Sequence, residues 1–199
     1  MYFFIKRLLD FLISLSGIII LLPIFILLAF LIIVNSGFPI FYIQKRVGKN
    51  SIDFNLVKFR TMKKNSDKSG LLTVGGRDLR ITAIGFYLRK YKLDELPQLF
   101  NVLIGNMSLV GPRPEVRKYV DLYNDHQKKV LLIKPGITDY ASLEYFSEND
   151  LLAKSTNPEE TYIKEVMPAK LELNAKYINE MGLKTDFKII LKTILRIIT

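Results

Sequence analysis

The chain has 199 residues, no cysteine and one histidine, and its 29 lysines and arginines against 19 acidic residues give a formal charge of +10. This composition excludes disulfides and thiolate metal sites and gives little support to zinc chemistry. The positive charge predicts an anionic partner: nucleic acid, anionic lipid headgroups and phosphorylated substrates would each satisfy it. An apolar share of 49% beside 24% charged residues indicates a membrane-associated body with a hydrated face.

The first element is a long apolar run. Residues Phe11 to Val34 carry no charged side chain, and a helix of that length reaches across a hydrocarbon core. Pro23 interrupts the run near its middle. Basic residues flank it on both sides, namely Lys6 and Arg7 before it and Lys45, Arg46 and Lys49 after it. Because basic flanks favour the cytoplasm, we predict a re-entrant membrane helix over residues 1–37, broken at Pro23, in preference to a kinked transmembrane span.

The middle of the chain, residues 38–182, is predicted to be one catalytic domain. Short apolar–polar alternation from Phe38 to Met62, with a turn at Gly48 to Asn50, predicts a β-hairpin. The polar, glycine-rich stretch Lys63 to Arg77 predicts a mobile loop. Helical spacing follows in four segments, Ile81–Lys92, Asp94–Ile104, Val116–Leu132 and, in pieces opened by Pro158 and Pro168, Ala153–Met181. The fold class is therefore mostly α with a small β-hairpin.

Residues 183–199 predict a basic amphipathic helix. Lys184, Lys188, Lys192 and Arg196 recur every four residues, and apolar side chains occupy the opposite face. Such a helix suits the headgroup boundary of an anionic leaflet. The alternative is a helix packed on the domain with its lysines in water.

An acidic pair, Asp94-Glu95, stands directly before an amphipathic run and close to Pro97. Proline is tolerated in a first helical turn, so Asp94 is predicted at or next to a helix N-cap, where the helix dipole keeps a carboxylate ionised. Such a carboxylate could hold Mg²⁺ together with phosphate oxygens. An acidic residue in a first turn is more often only a cap.

Four basic residues surround this pair in the sequence. Arg89 lies one turn upstream, and Arg113 is held in the rigid turn GPRP of residues 111–114. Lys58 and Arg60 alternate with apolar residues and are predicted to project from one strand face. Cations gathered around an acidic pair favour a phosphate-binding site, although a purely structural set of salt bridges gives the same pattern.

The block LDELPQLFNVLIGNMSLVGPRPE, residues 93–115, closely resembles the signature of the bacterial sugar transferase family, the small monotopic phosphoglycosyl transferases. The similarity continues through almost the whole chain, in KRLLDF, QKRVGKN, VKFRTM and KPGIT. The stretch through Pro158 and Pro168 resembles an exopolysaccharide-type subgroup of that family.

The resemblance implies an enzyme that moves a sugar 1-phosphate from a UDP-sugar to polyprenol (undecaprenyl) phosphate and releases UMP, the first membrane step of glycan assembly. It implies Asp94 as the nucleophile that carries the phospho-sugar, Glu95 as a second required acid, and Mg²⁺ held at Asp94. It also implies phosphate-binding roles for Arg89 and Arg113 and a basic role for Lys58, to which we add Arg60. The implied place is the cytoplasmic face of the bacterial inner membrane. The resemblance implies membrane lipid as a partner and does not imply nucleic acid. A homodimer is left open.

Two departures from the family pattern stand out. The helix break reads Leu22-Pro23 where relatives have Ser-Pro, so one hydroxyl is missing at the kink. After KPGIT the chain reads DYASLEYFSEN, residues 139–149, without the arginine that many relatives carry there. The rival hypothesis is a non-catalytic basic membrane-surface protein that binds anionic lipid or nucleic acid. It accounts for the charge of +10 but not for an acidic pair among arginines.

Overall fold

The long apolar run forms a single helix, α1 (Tyr2–Ser36), with Pro23 inside it. The structure is a computed structural model and describes residues 1–64, 66, 72–75 and 78–198. Within those ranges α1 is the one helix long and apolar enough to cross a membrane, and only 17% of its most apolar window is buried. A core helix of a soluble protein would be mostly buried, so the outward side chains of α1 suit a lipid environment.

Both halves of α1 are attached to the same domain. Before Pro23, Asp10 accepts a hydrogen bond from the backbone N–H of Leu109 at 3.0 Å. Arg7 donates to the carbonyl oxygens of Val102 and Leu103, at 2.7 and 2.8 Å. After Pro23, the side chains of Phe25, Leu28 and Ile32 are buried against Phe59 and Leu88. The helix therefore does not leave the domain on either side of the proline.

The predicted β-hairpin is confirmed. Strands β1 (Phe41–Val47) and β2 (Asp53–Phe59) pair antiparallel around a short 3₁₀ turn, Lys49–Ser51. Asn101 fastens β2 to the helix that follows the acidic pair, because its amide accepts from the Val57 N–H at 3.0 Å and donates to the Asn55 carbonyl at 2.7 Å. One buried asparagine thus completes the edge of the strand.

A second, parallel pair of strands was not predicted. Strands β3 (Ser108–Val110) and β4 (Gly136–Thr138) have three residues each, too few to show a period of two in the sequence. Their pairing continues into the GPRP turn, where the Gly111 N–H donates to the Thr138 carbonyl and the Gly136 N–H donates to the Pro112 carbonyl, both at 3.0 Å. The rigid turn is therefore held by backbone hydrogen bonds on both sides.

Replacing Gly136 by alanine is expected to destabilise the protein by about 1–3 kcal/mol, as overpacking usually does. A Cβ atom at Gly136 would lie 2.1 Å from the backbone nitrogen of Gly111, where only a main-chain shift could relieve the clash. Gly182→Ala is the matched control, because its nearest neighbour would be the Glu180 carbonyl at 4.0 Å. Thermal unfolding in detergent measures both, and equal midpoints would contradict the close approach of the two strands.

The remaining elements are helices that pack around several apolar clusters. They are α2 (Ala83–Lys90), α3 (Gln98–Ile104), α4 (Arg117–Val120), α5 (Tyr140–Glu144), α6 (Glu148–Ala153), α7 (Pro158–Thr161) and α8 (Met167–Asn179). A π-helical turn, Tyr162–Val166, joins α7 to α8. The largest buried cluster lies between this turn, α8 and α4, and includes Tyr119, Tyr162 and Leu171. The helix Ile81–Lys92 and the helical pieces of Ala153–Met181 are confirmed.

The single helix predicted over Val116–Leu132 is wrong. Only α4 and a 3₁₀ turn, Gln127–Leu132, form there. Between them the side chain of Asn124 accepts from the Gln127 N–H at 2.9 Å, and the side chain of Gln127 accepts from the Asn124 N–H at 3.0 Å. Side chains that capture nearby backbone groups compete with helical hydrogen bonds, and this pair interrupts the helix.

Helix α9 (Leu183–Ile198) closes the described chain and is amphipathic, as predicted. Only Asp186 and Ile189 are buried, and the exposed large apolar side chains are Leu183, Phe187, Leu191, Ile194, Leu195 and Ile198. Asp186 accepts hydrogen bonds from Tyr2 at 2.9 Å, Lys6 at 2.7 Å and Tyr177 at 2.7 Å. One buried carboxylate therefore joins α9 to α8 and to the beginning of α1. The predicted mobile loop, Lys63–Arg77, lies largely outside the described residues.

Candidate active site

Asp94 and Glu95 lie in a one-turn 3₁₀ helix, Leu93–Glu95, ahead of α3. The chain turns sharply into it at Lys92, whose backbone is left-handed with φ 54°. The helix predicted over Asp94–Ile104 starts later, at Gln98 with Pro97 at the N-cap position, so the prediction that Asp94 lies at or next to the N-cap of that helix is wrong. Proline lacks the N–H that would continue a helix from upstream, so the two turns stay separate. Asp94 is thus not used to cap α3.

Glu95 is the centre of a partly buried ion cluster. Its Oε1 atom accepts a hydrogen bond from Lys58 Nζ at 2.8 Å. Arg113 donates to both oxygens of the same carboxylate, from Nη1 to Oε2 at 3.0 Å and from Nη2 to Oε1. Burial alone would raise the pKa of Glu95, but the charges of Arg113 and Lys58 hold that pKa well below its ordinary value. In turn the charge of Glu95 raises the pKa of Arg113. The Glu95–Arg113 pair therefore favours its ionised form, whereas burial lowers the pKa of Lys58, partly offset by the charge of Glu95.

The neighbouring carboxylate, Asp94, has the opposite environment. Its side chain is buried, yet no described residue donates a hydrogen bond to it or forms an ion pair with it. Burial raises the pKa of Asp94, and the charges of Lys58 and Arg89 only partly oppose this rise. A carboxylate that has lost its hydration without gaining donors is more basic, and it keeps its lone pairs available for a metal ion or an electrophile.

Arg89, in the last turn of α2, points its guanidinium to two hydroxyls. Nε donates to Thr61 Oγ1 at 2.9 Å and Nη1 donates to Thr73 Oγ1 at 3.1 Å. Burial lowers the pKa of Arg89, partly offset by the charge of Asp94. The hydroxyls fix its position without neutralising its charge, which leaves a positioned cation for an anionic ligand.

Arg60 is the one predicted site residue that the structure does not bring to the acidic pair. Its Nη2 atom donates to the carbonyl and hydroxyl of Ser36, at 2.9 and 2.8 Å, and to the Gly37 carbonyl, all at the end of α1. Strand β2 ends at Phe59, so the alternation that would have put Arg60 beside Lys58 no longer applies. The predicted cations that lie near the pair are Lys58, Arg89 and Arg113, and Lys92, which was not predicted as a site residue, joins them.

Sequence reasoning missed several residues that complete the site. Asp139 accepts from the backbone N–H of Arg113 at 3.1 Å and from the Ser142 N–H at 2.6 Å, and so fixes the GPRP turn. The ring of Phe146 makes cation–π contacts with Lys92, whose Nζ lies 4.7 Å from its centroid, and with the guanidinium of Arg196, at 5.5 Å. Thus α9 brings an arginine to the segment that lacks one after Thr138. Among the described contacts, Lys92 and Arg196 are linked only through the packing of the Phe146 ring. Such a contact produces no recognisable spacing of residues in the sequence.

Of the two described carboxylates in the site, Asp94 alone is free to bind a magnesium ion. Among the described residues no group of three His, Cys, Asp or Glu side chains is placed to hold a metal, and both oxygens of Glu95 are already bonded. Mg²⁺ commonly takes one or two carboxylates, keeps several waters and binds substrate phosphates. Asp94 fits that mode, and a site built wholly from protein ligands does not.

Comparison with known proteins identifies the family. The family model for bacterial sugar transferases matches residues 1–199. The chain is 36% identical to a UDP-N-acetylgalactosamine-undecaprenyl-phosphate N-acetylgalactosaminephosphotransferase of Aeromonas hydrophila, over 100% of this chain and 44% of that protein. It is 33% identical to a UDP-glucose:undecaprenyl-phosphate glucose-1-phosphate transferase of Xanthomonas campestris pv. campestris, over 88% of this chain and 35% of that protein.

A shorter relative is matched by this chain over most of that relative's length. The exopolysaccharide production protein ExoY of Sinorhizobium fredii is 34% identical over 95% of this chain and 83% of that protein. The chain spans less than half of the Aeromonas and Xanthomonas proteins, so their full activities belong to longer chains. The resemblance read from residues 93–115 is nevertheless confirmed over the whole sequence. The chain belongs to the bacterial sugar transferase family.

Proposed function

We propose that the chain transfers a sugar 1-phosphate from a UDP-sugar to undecaprenyl phosphate through a covalent intermediate on Asp94. The observation that carries the proposal is the contrast between two adjacent carboxylates, of which Glu95 is held by Lys58 and Arg113 and Asp94 has no described partner. The Aeromonas and Xanthomonas relatives, whose names combine a UDP-sugar with undecaprenyl phosphate, support the same chemistry.

In the first half-reaction an oxygen of Asp94 attacks the β-phosphorus of the UDP-sugar. The bond from that phosphorus to the bridging oxygen breaks, and UMP leaves with the oxygen and the electron pair. Attack by an anion on an anion requires cations that compensate the repulsion, and Arg89 and Lys58 are the nearby candidates. The product on the protein is an acyl phosphate that carries the sugar.

In the second half-reaction an oxygen of undecaprenyl phosphate attacks the same phosphorus. The bond to Asp94 breaks and the carboxylate is restored, so the lipid diphosphate sugar is released with no net change in the protein. The same cations serve both steps, since phosphate occupies the same place twice. Glu95 contributes by holding Arg113 in a fixed orientation.

We also propose Mg²⁺ as the cofactor, held at Asp94 together with phosphate oxygens of the substrate. When bound it would neutralise charge on the diphosphate and lower the fraction of Asp94 that is protonated. The partnerless carboxylate supports this assignment. Removal of divalent cations by a chelator is expected to stop transfer, and added Mg²⁺ is expected to restore it.

The direct test is UMP release from a panel of UDP-sugars, in the presence of undecaprenyl phosphate and Mg²⁺. One or a few donors are expected to release at most about one UMP per protein without the lipid phosphate and many UMP per protein with it, and the active donor identifies the sugar. Absence of UMP from every donor, together with salt-dependent retention of RNA by the purified protein, would favour a non-catalytic basic surface protein.

We propose that the chain is monotopic at the cytoplasmic face of the inner membrane, with α1 re-entrant around Pro23. Support comes from the two ends of α1. Lys6 is bonded to Asp186, and Ser36 and Gly37 are bonded to Arg60. A helix that crossed the bilayer would put one end about 30 Å away on the other side, out of reach of the domain. The exposed apolar and basic side chains of α9 support its place at the headgroup boundary.

Single cysteines test this topology cleanly, because the chain has no cysteine of its own. Phe3→Cys and Phe38→Cys place a thiol near either end of α1, at side chains that are both 63% exposed. Both are expected to react with a membrane-impermeant maleimide in inverted vesicles and to be protected in intact spheroplasts. Labelling of the two positions from opposite faces would instead demonstrate a simple span.

A further inference from the structure

A cleft opens where α1 ends and α2 begins, away from the ion cluster at Glu95. It measures about 390 Å³. We call it the Arg60 cleft, and its polar lining includes Asn35, Ser36, Arg60, Lys63, Lys64 and Thr82. No acidic residue contributes to its described lining, and three of these six side chains are cationic. Its charge is therefore of one sign.

Arg60 supplies the reason to expect a ligand. Its side chain is only 5% exposed, and no described carboxylate pairs with it. Nη2 is bonded to Ser36 and Gly37, while Nε and Nη1 are buried and have no partner. A buried guanidinium served only by carbonyl and hydroxyl oxygens keeps an uncompensated positive charge, which is costly unless an anion approaches it.

The rest of the cleft adds donors of the same kind. Lys63 and Lys64 are exposed and take part in no described salt bridge. Thr82 caps the first turn of α2 by accepting from the Gly85 N–H at 3.0 Å, and the backbone N–H of Ala83 has no described acceptor. Two lysines, a free amide and the positive end of a helix dipole form a site for a phosphate.

The surroundings of the cleft indicate where that phosphate comes from. The apolar side chains next to it along the chain are outward, with Val34 69% and Phe38 63% exposed. Hydrocarbon contact on one side and cations on the other is the arrangement that a lipid headgroup requires. We propose that the Arg60 cleft binds the headgroup phosphate of a membrane phospholipid, separately from the substrate phosphates at Asp94.

This proposal rests on the membrane placement of α1 in the proposed function, but not on the transfer reaction. A phosphate in the cleft would compensate Arg60 and, through it, hold the end of α1 against α2. The bound lipid would therefore stabilise the junction between the membrane helix and the domain, and its loss would loosen that junction without touching the acidic pair.

The test uses the full chain in a neutral detergent, without UDP-sugar, and follows the midpoint of thermal unfolding. Phosphatidylglycerol is expected to raise the midpoint saturably, as a ligand of the folded state does. Diacylglycerol with the same acyl chains is expected to have no such effect, and inorganic phosphate at the same concentration little effect. The double variant Lys63→Gln/Lys64→Gln is expected to need about tenfold more phosphatidylglycerol for half of the shift.

A matched control removes two positive charges elsewhere. Lys129 and Lys154 are exposed and form no described salt bridge, so Lys129→Gln/Lys154→Gln is expected to keep the parent response. If both double variants needed the same excess of phosphatidylglycerol, the effect would be a general attraction between positive charge and anionic lipid, and the proposed site would be overturned. A full shift with inorganic phosphate alone would overturn the lipid assignment. UMP release, measured separately on both variants, reports on the transfer reaction and not on the cleft.

Discussion

Asp94→Asn is expected to lower UMP release by at least about 10³-fold while leaving the protein folded. Asparagine has the same shape but cannot form the acyl phosphate. The Asp94 carboxylate is buried without a described donor, so its charge favours the unfolded chain, where it is hydrated. Because the pKa of Asp94 is raised in the folded protein, removing the charge at neutral pH is expected to keep or raise the midpoint of unfolding.

The experiment pairs UMP release with thermal unfolding of the same preparation. Asp121→Asn is the matched control, since Asp121 is exposed and its side chain has no described hydrogen bond, and it should change neither quantity. Unimpaired turnover of Asp94→Asn would remove the nucleophile assignment. A large fall in its unfolding midpoint would instead show that the carboxylate is structural.

Glu95→Gln is expected to destabilise the protein by about 2–4 kcal/mol and to stop transfer as well. The substitution leaves Lys58 and Arg113 together without their counter-charge, and breaking one partner of a buried pair costs about 3–5 kcal/mol. We lower that range because the Arg113 side chain keeps 35% exposure to solvent. The two variants should therefore behave differently: Asp94→Asn should give an inactive but stable protein, and Glu95→Gln an inactive and destabilised one.

Denaturant titration in detergent measures the free energy of unfolding of this variant. Glu159→Gln is the control, because the Lys118–Glu159 pair is half exposed on both sides and should be worth at most about 1 kcal/mol. The depressed pKa of Glu95 also gives a sign for pH. Its contribution is complete above the ordinary glutamate pKa and is lost only as the pH falls through the depressed value. A loss equal to that of Glu159→Gln would contradict the ion cluster.

The sequence allowed the acidic pair and three of its cations to be predicted, because residue type and local spacing carry that information. It could not separate the roles of Asp94 and Glu95, since which carboxylate is paired depends on side chains that arrive from β2 and from the GPRP turn. Arg60 was assigned to the pair on strand alternation, which fails one residue beyond the end of β2.

Long-range packing explains the remaining differences. Strands β3 and β4 are too short to recognise in isolation, yet their pairing holds Arg113 in place. Lys92 and Arg196 meet only at the ring of Phe146, across 104 positions of the chain (196 − 92). No local pattern reports such contacts, whereas the apolar run of α1 and the amphipathic repeat of α9 could be read directly because their signals repeat along the chain.

The bond between Lys6 and Asp186 has a consequence for synthesis on the ribosome. The two residues are 180 positions apart, so at about 5–20 residues per second roughly 10–35 s pass before Lys6 can meet its partner. Asp10 waits in the same way for Leu109, 99 positions later. In the membrane placement that we propose, helix α1 therefore enters the bilayer while Lys6 and Asp10 are still without these partners. The contact between the beginning of α1 and α9 forms last, once Asp186 has been synthesised.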